Sequence, residues 1–247
     1  MRYLILSDIH ANLTALDTCL QAAQGRWEKA VCLGDVVGYG PDPNEVIDRV
    51  RSIEAITIRG NHDKASSGIA DAEDFNPVAR VAALWTREEL RPENHEWLEK
   101  LPLGPLQVDG FHIVHGALHD EDEYLLAPAQ ALDSLADAPS PVTFFGHTHV
   151  QGGFVLQDDK VGVLQFKHVG GDLFTTLDID PVATYMINPG SVGQPRDGDT
   201  RAAFAIADLP NKRVELWRVP YNIGEVQKRM EKNGLPEPLI LRLSFGR

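Results

Sequence analysis

The sequence predicts an α/β fold in which two sheets pack face to face with helices outside. Three observations predict it. Up to Ile58, short apolar runs alternate with helical periodicities, the pattern of a parallel sheet with right-handed crossovers. Beyond Pro105, eight further strand-like runs follow with few helical segments between them. Polar clusters rich in Asp, Asn and His stand directly after several strands, which puts function at the strand ends.

Tyr3 to Leu6 is apolar without alternation, as in a strand covered on both faces. Asn12 can cap a helix whose Leu13, Leu16, Leu20 and Ala23 share one face before Gly25 ends it. Ala30 to Leu33 reads as the second strand. Asp42-Pro43-Asn44-Glu45 supplies a capping side chain, a proline at the first helical position and an acid in the first turn, starting a helix through Val46, Ile47 and Val50. Ala55 to Ile58 is the third strand. From about Asp74 to Lys100 the spacing is helical, with Val78, Val81, Ala82 and Trp85 on one face and a second piece carrying Trp97, Leu98 and Leu101. Pro102 closes it. The later runs are Leu106–Val108, Phe111–Val114, Val142–Phe145, Gly153–Leu156, Val161–Phe166, Tyr185–Ile187, Ala203–Ala207 and Val214–Val219. Asp109-Gly110 signals a tight hairpin, and Gln157 to Lys160 a polar turn. One helix is expected at Pro128 to Leu135 and another after Asn222. His168 precedes a Val169-Gly170-Gly171 loop. With no repeat or Ser/Gly linker, residues 1–247 read as a single domain.

The 247 residues carry 23 Lys plus Arg against 36 Asp plus Glu, a formal charge of −13. That balance argues against a dedicated binder of long nucleic acid or of an anionic membrane. A small anionic substrate fits if metal ions reverse the local field. Cys19 and Cys32 form no Cys-x-x-Cys pattern, so neither a disulfide framework nor a thiolate zinc site is indicated. The N-terminal apolar stretch is shorter than the ~7–15 residues of a signal-peptide core, and no run reaches the ~18–20 of a membrane span. A cytoplasmic protein is expected.

Five blocks carry the chemistry: Asp8-Ile9-His10, Gly34-Asp35, Gly60-Asn61-His62-Asp63, His115-Gly116 and Gly146-His147-Thr148-His149. If extended geometry persists past the strands, Asp8 and His10 point the same way and converge on one ion, and His147 and His149 do likewise from another strand end. Any one block is commonplace. Together, with Asp, Asn and His but no Cys, they describe an oxygen–nitrogen site for borderline divalent ions. His95, His112 and His168 lack such company.

The ordered set resembles the calcineurin-like metallophosphoesterases, over about the first three fifths of the chain. The resemblance implies a four-layer α/β/β/α sandwich of two facing mixed sheets, with the active site at strand C-terminal ends. It implies one ion held by Asp8, His10, Asp35 and His149 and a second by Asp35, Asn61, His115 and His147, with Asp35 bridging. His62 would face the substrate, with Asp63 as an orienting partner. The two cofactor ions belong to the set Mn, Fe, Zn, Ni, Co or Mg, with manganese favoured. Two ions ~3.5–4 Å apart can hold a hydroxide and clamp phosphoryl oxygens for in-line attack.

These features predict hydrolysis of a small phosphorylated substrate, as a phosphodiesterase or phosphomonoesterase. Protein phosphatases and diadenosine tetraphosphate hydrolases of the superfamily follow Gly-Asp with Asp-Arg-Gly, whereas here Gly34-Asp35 continues Val36-Val37-Gly38-Tyr39-Gly40. The missing arginine makes both weaker candidates, and they stand as alternatives within the enzyme reading. A non-catalytic scaffold of the same fold is the alternative, disfavoured because every ligand position is filled. Asn188-Pro189-Gly190-Ser191 with Gln194-Pro195-Arg196 resembles a segment of small bacterial phosphodiesterases and makes Ser191 and Arg196 candidates for substrate contact. Tyr39 and His119 join them, and the pocket walls are expected from Tyr39–Pro43, Ile69–Pro77, His119–Leu126 and Gly190–Arg196.

Overall fold

The computed structural model describes residues 1–168 and 171–247. Val169 and Gly170 of the expected loop after His168 lie outside the described residues. The first sheet is built from β1 (Tyr3–Leu6), β2 (Lys29–Cys32), β3 (Ile56–Thr57), β9 (Phe174–Asp178), β11 (Ala202–Asp208) and β12 (Arg213–Val219), in the order β3-β2-β1-β11-β12-β9. β1, β2 and β3 run parallel, while β11 pairs antiparallel with β1 and β12. The second sheet contains β4 (Leu106–Val108), β5 (Phe111–Ile113), β6 (Val142–Phe144), β7 (Gly152–Gln157), β8 (Lys160–Gln165) and β10 (Thr184–Asn188), in the order β4-β5-β6-β10-β7-β8. Its middle strands β5, β6 and β10 are parallel and its edges antiparallel.

Two six-stranded mixed sheets thus face each other, and the residues between them form one apolar layer. Ile5, Leu33, Ile58, Ala205 and Leu216 of the first sheet meet Phe111, Ile113, Phe144 and Ile187 of the second. On the outer face of the first sheet, Leu4, Leu6 and Phe204 pack under α1 (Leu13–Ala22) and α2 (Pro43–Ser52) through Leu16, Leu20, Val46 and Val50. On the outer face of the second, Phe145, Phe154 and Met186 pack under Ala131 and Leu135 of α6 (Pro128–Ala136). The inner strands β1, β2, β6, β10 and β11 are covered on both faces, which explains their continuous apolar runs, whereas the edge strand β8 is largely exposed.

Asn12 caps α1, its side-chain oxygen accepting from Ala15 N at 3.1 Å. Asp42 behaves differently from expectation. It makes no side-chain cap to α2, because the Arg229 guanidinium of α7 (Ile223–Lys232) claims both of its carboxylate oxygens at 2.9 Å. The two helical pieces expected over 74–100 are α4 (Pro77–Glu89) and α5 (Pro92–Glu99), parted at Leu90 and Arg91 ahead of Pro92. The buried stripe of α4 is Ala79, Ala82, Ala83 and Thr86, and Val81 faces outward at 52% exposure, one turn-step off the expected face. Four elements have no counterpart in the sequence reading: α3 (Asn61–Ser67), β9, α8 (Glu237–Arg242) and the short 3-10 helix Leu209–Asn211. Among the described residues, no helix is long and apolar enough to cross a membrane.

Candidate metal centre

The five blocks lie in the connections that leave β1, β2, β3, β5 and β6, so ligands from both sheets project into one region at the strands' carboxyl ends. Asp8, His10, Asp35 and His149 each place a donor atom within 4.8 Å of the others, and Asp35, His115 and His147 form a second such group. Asp35 is common to both. Asn61 stands beside the second, its Oδ1 3.3 Å from His115 Nε2.

The local backbone differs from the extended form expected. Asp8, His10, Asp35, His147 and His149 all adopt left-handed conformations, with φ between 49° and 65°. Each costs about 1–3 kcal/mol for a residue bearing a Cβ, so five together mark a turn geometry that the surrounding fold enforces. Asp8 and His10 therefore share one donor group through tight turns instead of strand alternation, whereas His147 and His149, expected to converge on one ion, fall in different groups. Gly60 serves the same close packing, since a Cβ there would strike Asp35 Oδ1.

Hydrogen bonds fix the histidine tautomers. His10 Nδ1 donates to Val37 O (3.1 Å), His115 Nδ1 to Leu33 O (2.8 Å), His149 Nδ1 to Gln194 O (2.7 Å) and His147 Nε2 to Asp122 O (3.0 Å). A carbonyl only accepts, so each of these nitrogens carries the proton and its opposite nitrogen faces the centre. His10 Nε2 and His149 Nε2 then confront each other at 3.1 Å, two lone pairs with no proton between them. Burial holds both rings well below the ordinary histidine range, and lowers His147 to about 3. Burial would also lower His115, but the charge and hydrogen bond of Asp35 outweigh it and raise it to about 10.

The carboxylates are equally committed. Asp35 Oδ1 accepts from His62 N (2.8 Å), and Oδ2 lies 3.5 Å from both His10 Nε2 and His115 Nε2. Asp8 accepts from His147 N and from Ser7 Oγ (2.6 Å), with Oδ1 3.4 Å from His149 Nε2. Burial raises Asp8 to about 6, whereas Asp35, despite burial, is held well below the carboxylate range by His115 and His62. Three buried neutral imidazoles, a fourth at His115 whose proton a metal would displace, two carboxylates and an amide oxygen make a donor set suited to borderline divalent cations, and the opposed His10 and His149 lone pairs favour a cation beside them.

His62 follows Asn61 at the start of α3. Its ring packs against Tyr39, Phe75 and His10 with centroids 4.2, 4.6 and 4.9 Å away, and its Nδ1 is buried without a partner. Burial lowers it to about 4. The orienting role expected of Asp63 is not what the structure contains. Its two oxygens accept from Gly60 N (3.0 Å) and Val37 N (3.1 Å), so it fastens the turn and leaves the imidazole to aromatic packing.

The candidate substrate contacts separate. Tyr39 lies at the centre, on His10 and His62. Arg196 sets its guanidinium 5.6 Å from the Tyr39 ring centroid. Ser191 is buried beneath the site, donating to Asp8 O and accepting from Gln194 N, both at 2.8 Å, so it supports backbone instead of meeting substrate. His119 points away, exposed and 3.1 Å from Asp137 of the α6 C-cap. A cavity of about 310 Å³ opens beside the centre, lined by Tyr39, Asn61, Phe75, Asp122, Tyr124 and His147 among others. Three of the four expected wall segments contribute to it. Phe75 and Tyr124, which stacks on His147 at 3.8 Å, were residues within those segments that carried no individual signal. Lys64 was also missed; it pairs with Glu121 (2.8 Å) and Asp122 (2.6 Å) and ties the 116–126 connection to α3.

A family model for the calcineurin-like phosphoesterase superfamily domain matches residues 1–212. The chain belongs to that superfamily. It is 34% identical over 255 aligned positions to the uncharacterized protein MJ0912 of Methanocaldococcus jannaschii, covering 98% of this chain and 97% of that one. Among solved structures it is similar to a metallophosphoesterase from Sphaerobacter thermophilus, with 39% identity, coverage of 100% and 99%, and a TM-score of 0.83. The hypothetical protein PH1004 from Pyrococcus horikoshii OT3 shares the fold at 20% identity, with coverage of 100% and 98% and a TM-score of 0.79. The calcineurin-like fold of two mixed sheets between helices agrees with the expected class, and the superfamily is one of hydrolases acting on phosphate esters.

Proposed function

We propose that this calcineurin-like phosphoesterase is a dinuclear, metal-dependent hydrolase of small phosphate esters. The observation that supports it most is the pair of unprotonated His10 and His149 nitrogens, 3.1 Å apart and within reach of Asp8 and Asp35. Asp8, His10, Asp35 and His149 would hold one ion, and Asp35, Asn61, His115 and His147 the other. When bound, two divalent ions supply an activated water at neutral pH and positive charge for the phosphoryl oxygens. The protein's own part is orientation: backbone carbonyls fix the imidazoles, and Asp35 spans both donor groups while His62 N holds its second oxygen. His62, neutral at pH 7, presents its imidazole to the substrate's developing charge or departing oxygen. Tyr39, Phe75 and Tyr124 surround that position with rings that exclude bulk water.

The test is hydrolysis of an aryl phosphate mono- and diester after chelation and after readdition of Mn²⁺. Activity should vanish and return. Full activity of an Asp35→Asn protein that holds no metal would overturn the reading.

A further inference from the structure

The rim of the centre carries two arginines that lack an acidic partner. Arg196 N donates to His149 O at 3.1 Å, which starts its side chain beside a candidate ligand, and its guanidinium lies over the Tyr39 ring that itself covers His10 and His62. Arg242, the last residue of α8, reaches the same place from the far end of the chain. Its Nη1 donates to Gln194 Oε1 at 3.1 Å, the oxygen that also accepts from Arg196 Nη2 at 3.0 Å. Two cations thus converge on one neutral oxygen. In contrast, Arg59, Arg201, Arg218 and Arg229, also partly buried, each pair with a carboxylate. Among the described residues neither Arg196 nor Arg242 has such a pair, in a chain with 36 acids and 23 bases. Like charges gathered on one neutral amide and on the Tyr39 ring, with no carboxylate to offset them, make an arrangement completed by an anion with several oxygens.

We infer that Arg196 and Arg242 form a phosphate-binding subsite on the rim, which grips a dianionic phosphate of the substrate. The subsite supplies from residues 196 and 242 the guanidinium chemistry absent from the Asp35-Val36-Val37 run. It rests on the reading that the centre handles phosphate esters. The phosphate is either the reacting one or a second on the same molecule.

The test uses full-length, metal-loaded protein and inorganic phosphate as the probe, titrated calorimetrically. Arg242→Gln and Arg196→Gln should each weaken phosphate binding by about tenfold, as expected for loss of a charge-assisted contact, with metal content unchanged and Arg242→Lys recovering part of the loss. Phosphate affinity within twofold of the parent in both variants overturns the subsite, whatever the protein hydrolyses. Absence of turnover on every ester with intact phosphate binding overturns the proposed function and leaves the subsite standing. A raised KM for a singly phosphorylated aryl ester identifies the reacting phosphate. A raised KM only for a nucleoside bisphosphate identifies the second.

Discussion

Of the residues around the centre, His62 has the least redundant support. No carboxylate orients it; three rings do, together with the absence of a side chain at Gly38, where a Cβ would lie 2.6 Å from His62 Nδ1 at a φ of +86°. Gly38→Ala should therefore act as a positioning change, displacing the imidazole and lowering kcat by one to two orders of magnitude, on the order of what a misplaced acid–base group costs. Metal content should stay at the parental value. His62→Ala should produce a similar loss in kcat with the same retention of metal, because no donor in either cluster is removed. Parallel loss of metal and turnover in His62→Ala would show that the ring supports the ligands instead of the substrate. The comparison is direct: elemental analysis and steady-state kinetics on the same preparations. At this scale the donor set was legible because each donor follows a strand and has a distinctive side chain. The Asp63 role was not, since a carboxylate one position from His62 looks adjacent in sequence while its hydrogen bonds run to Gly60 and Val37.

The connection between β5 and α6 acts as an element in its own right. Asp122 O holds His147 Nε2, and the same stretch is latched to α3 and the β3 end by Lys64–Glu121, Lys64–Asp122 and Arg59–Glu121 pairs. Lys64 and Glu121 are largely shielded from water, so removing either partner leaves a partly buried charge uncompensated. Lys64→Met should loosen Asp122 and with it the aim of His147, reducing affinity at the Asp35–Asn61–His115–His147 group by about 10–100-fold, the usual scale for a partner behind a ligand. The other group should change little. A two-step metal titration resolves this; equal weakening of both steps would contradict it. The acidic run Asp120-Glu121-Asp122-Glu123 carries no distinctive pattern in the sequence, and its role is visible only once α3 is placed beside it. The same cause hid α3 itself. Its seven residues hold no apolar stripe, and its helical form comes from Asp63 capping Gly60 N. β9 was missed because Phe174–Asp178 alternates weakly and becomes a strand by pairing with β12. The continuous apolar strands, by contrast, are buried on both faces and declare themselves without context.

At the scale of the whole molecule, the centre joins the two sheets: Asp8, His10, Asp35 and Asn61 leave the first, and His115, His147 and His149 leave the second. Folding therefore gathers buried titratable groups that the unfolded chain keeps in water, and stability follows pH accordingly. In chelated protein, His10 and His149 are held well below the ordinary value of 6.5 by burial, with His62 near 4 and His147 near 3. Below pH 6.5 the unfolded chain takes up protons at these four positions while the folded chain does not, so their contribution is present above 6.5 and lost as pH falls. Asp8 and Asp63, raised by burial to about 6 and about 7, act in the opposite sense, since the folded chain binds those two protons before the unfolded one. Four outweigh two, leaving the unfolded state about two protons richer between roughly pH 6 and 4. The stability of the metal-free protein should then fall on acidification by up to about 3 kcal/mol per pH unit. Denaturant unfolding of chelated protein at stepped pH measures the slope directly. In His62→Gln one of the two excess protons is gone, and the slope should drop to about half; a slope that is flat, reversed, or unchanged by that substitution would contradict the protonation states assigned to the buried imidazoles.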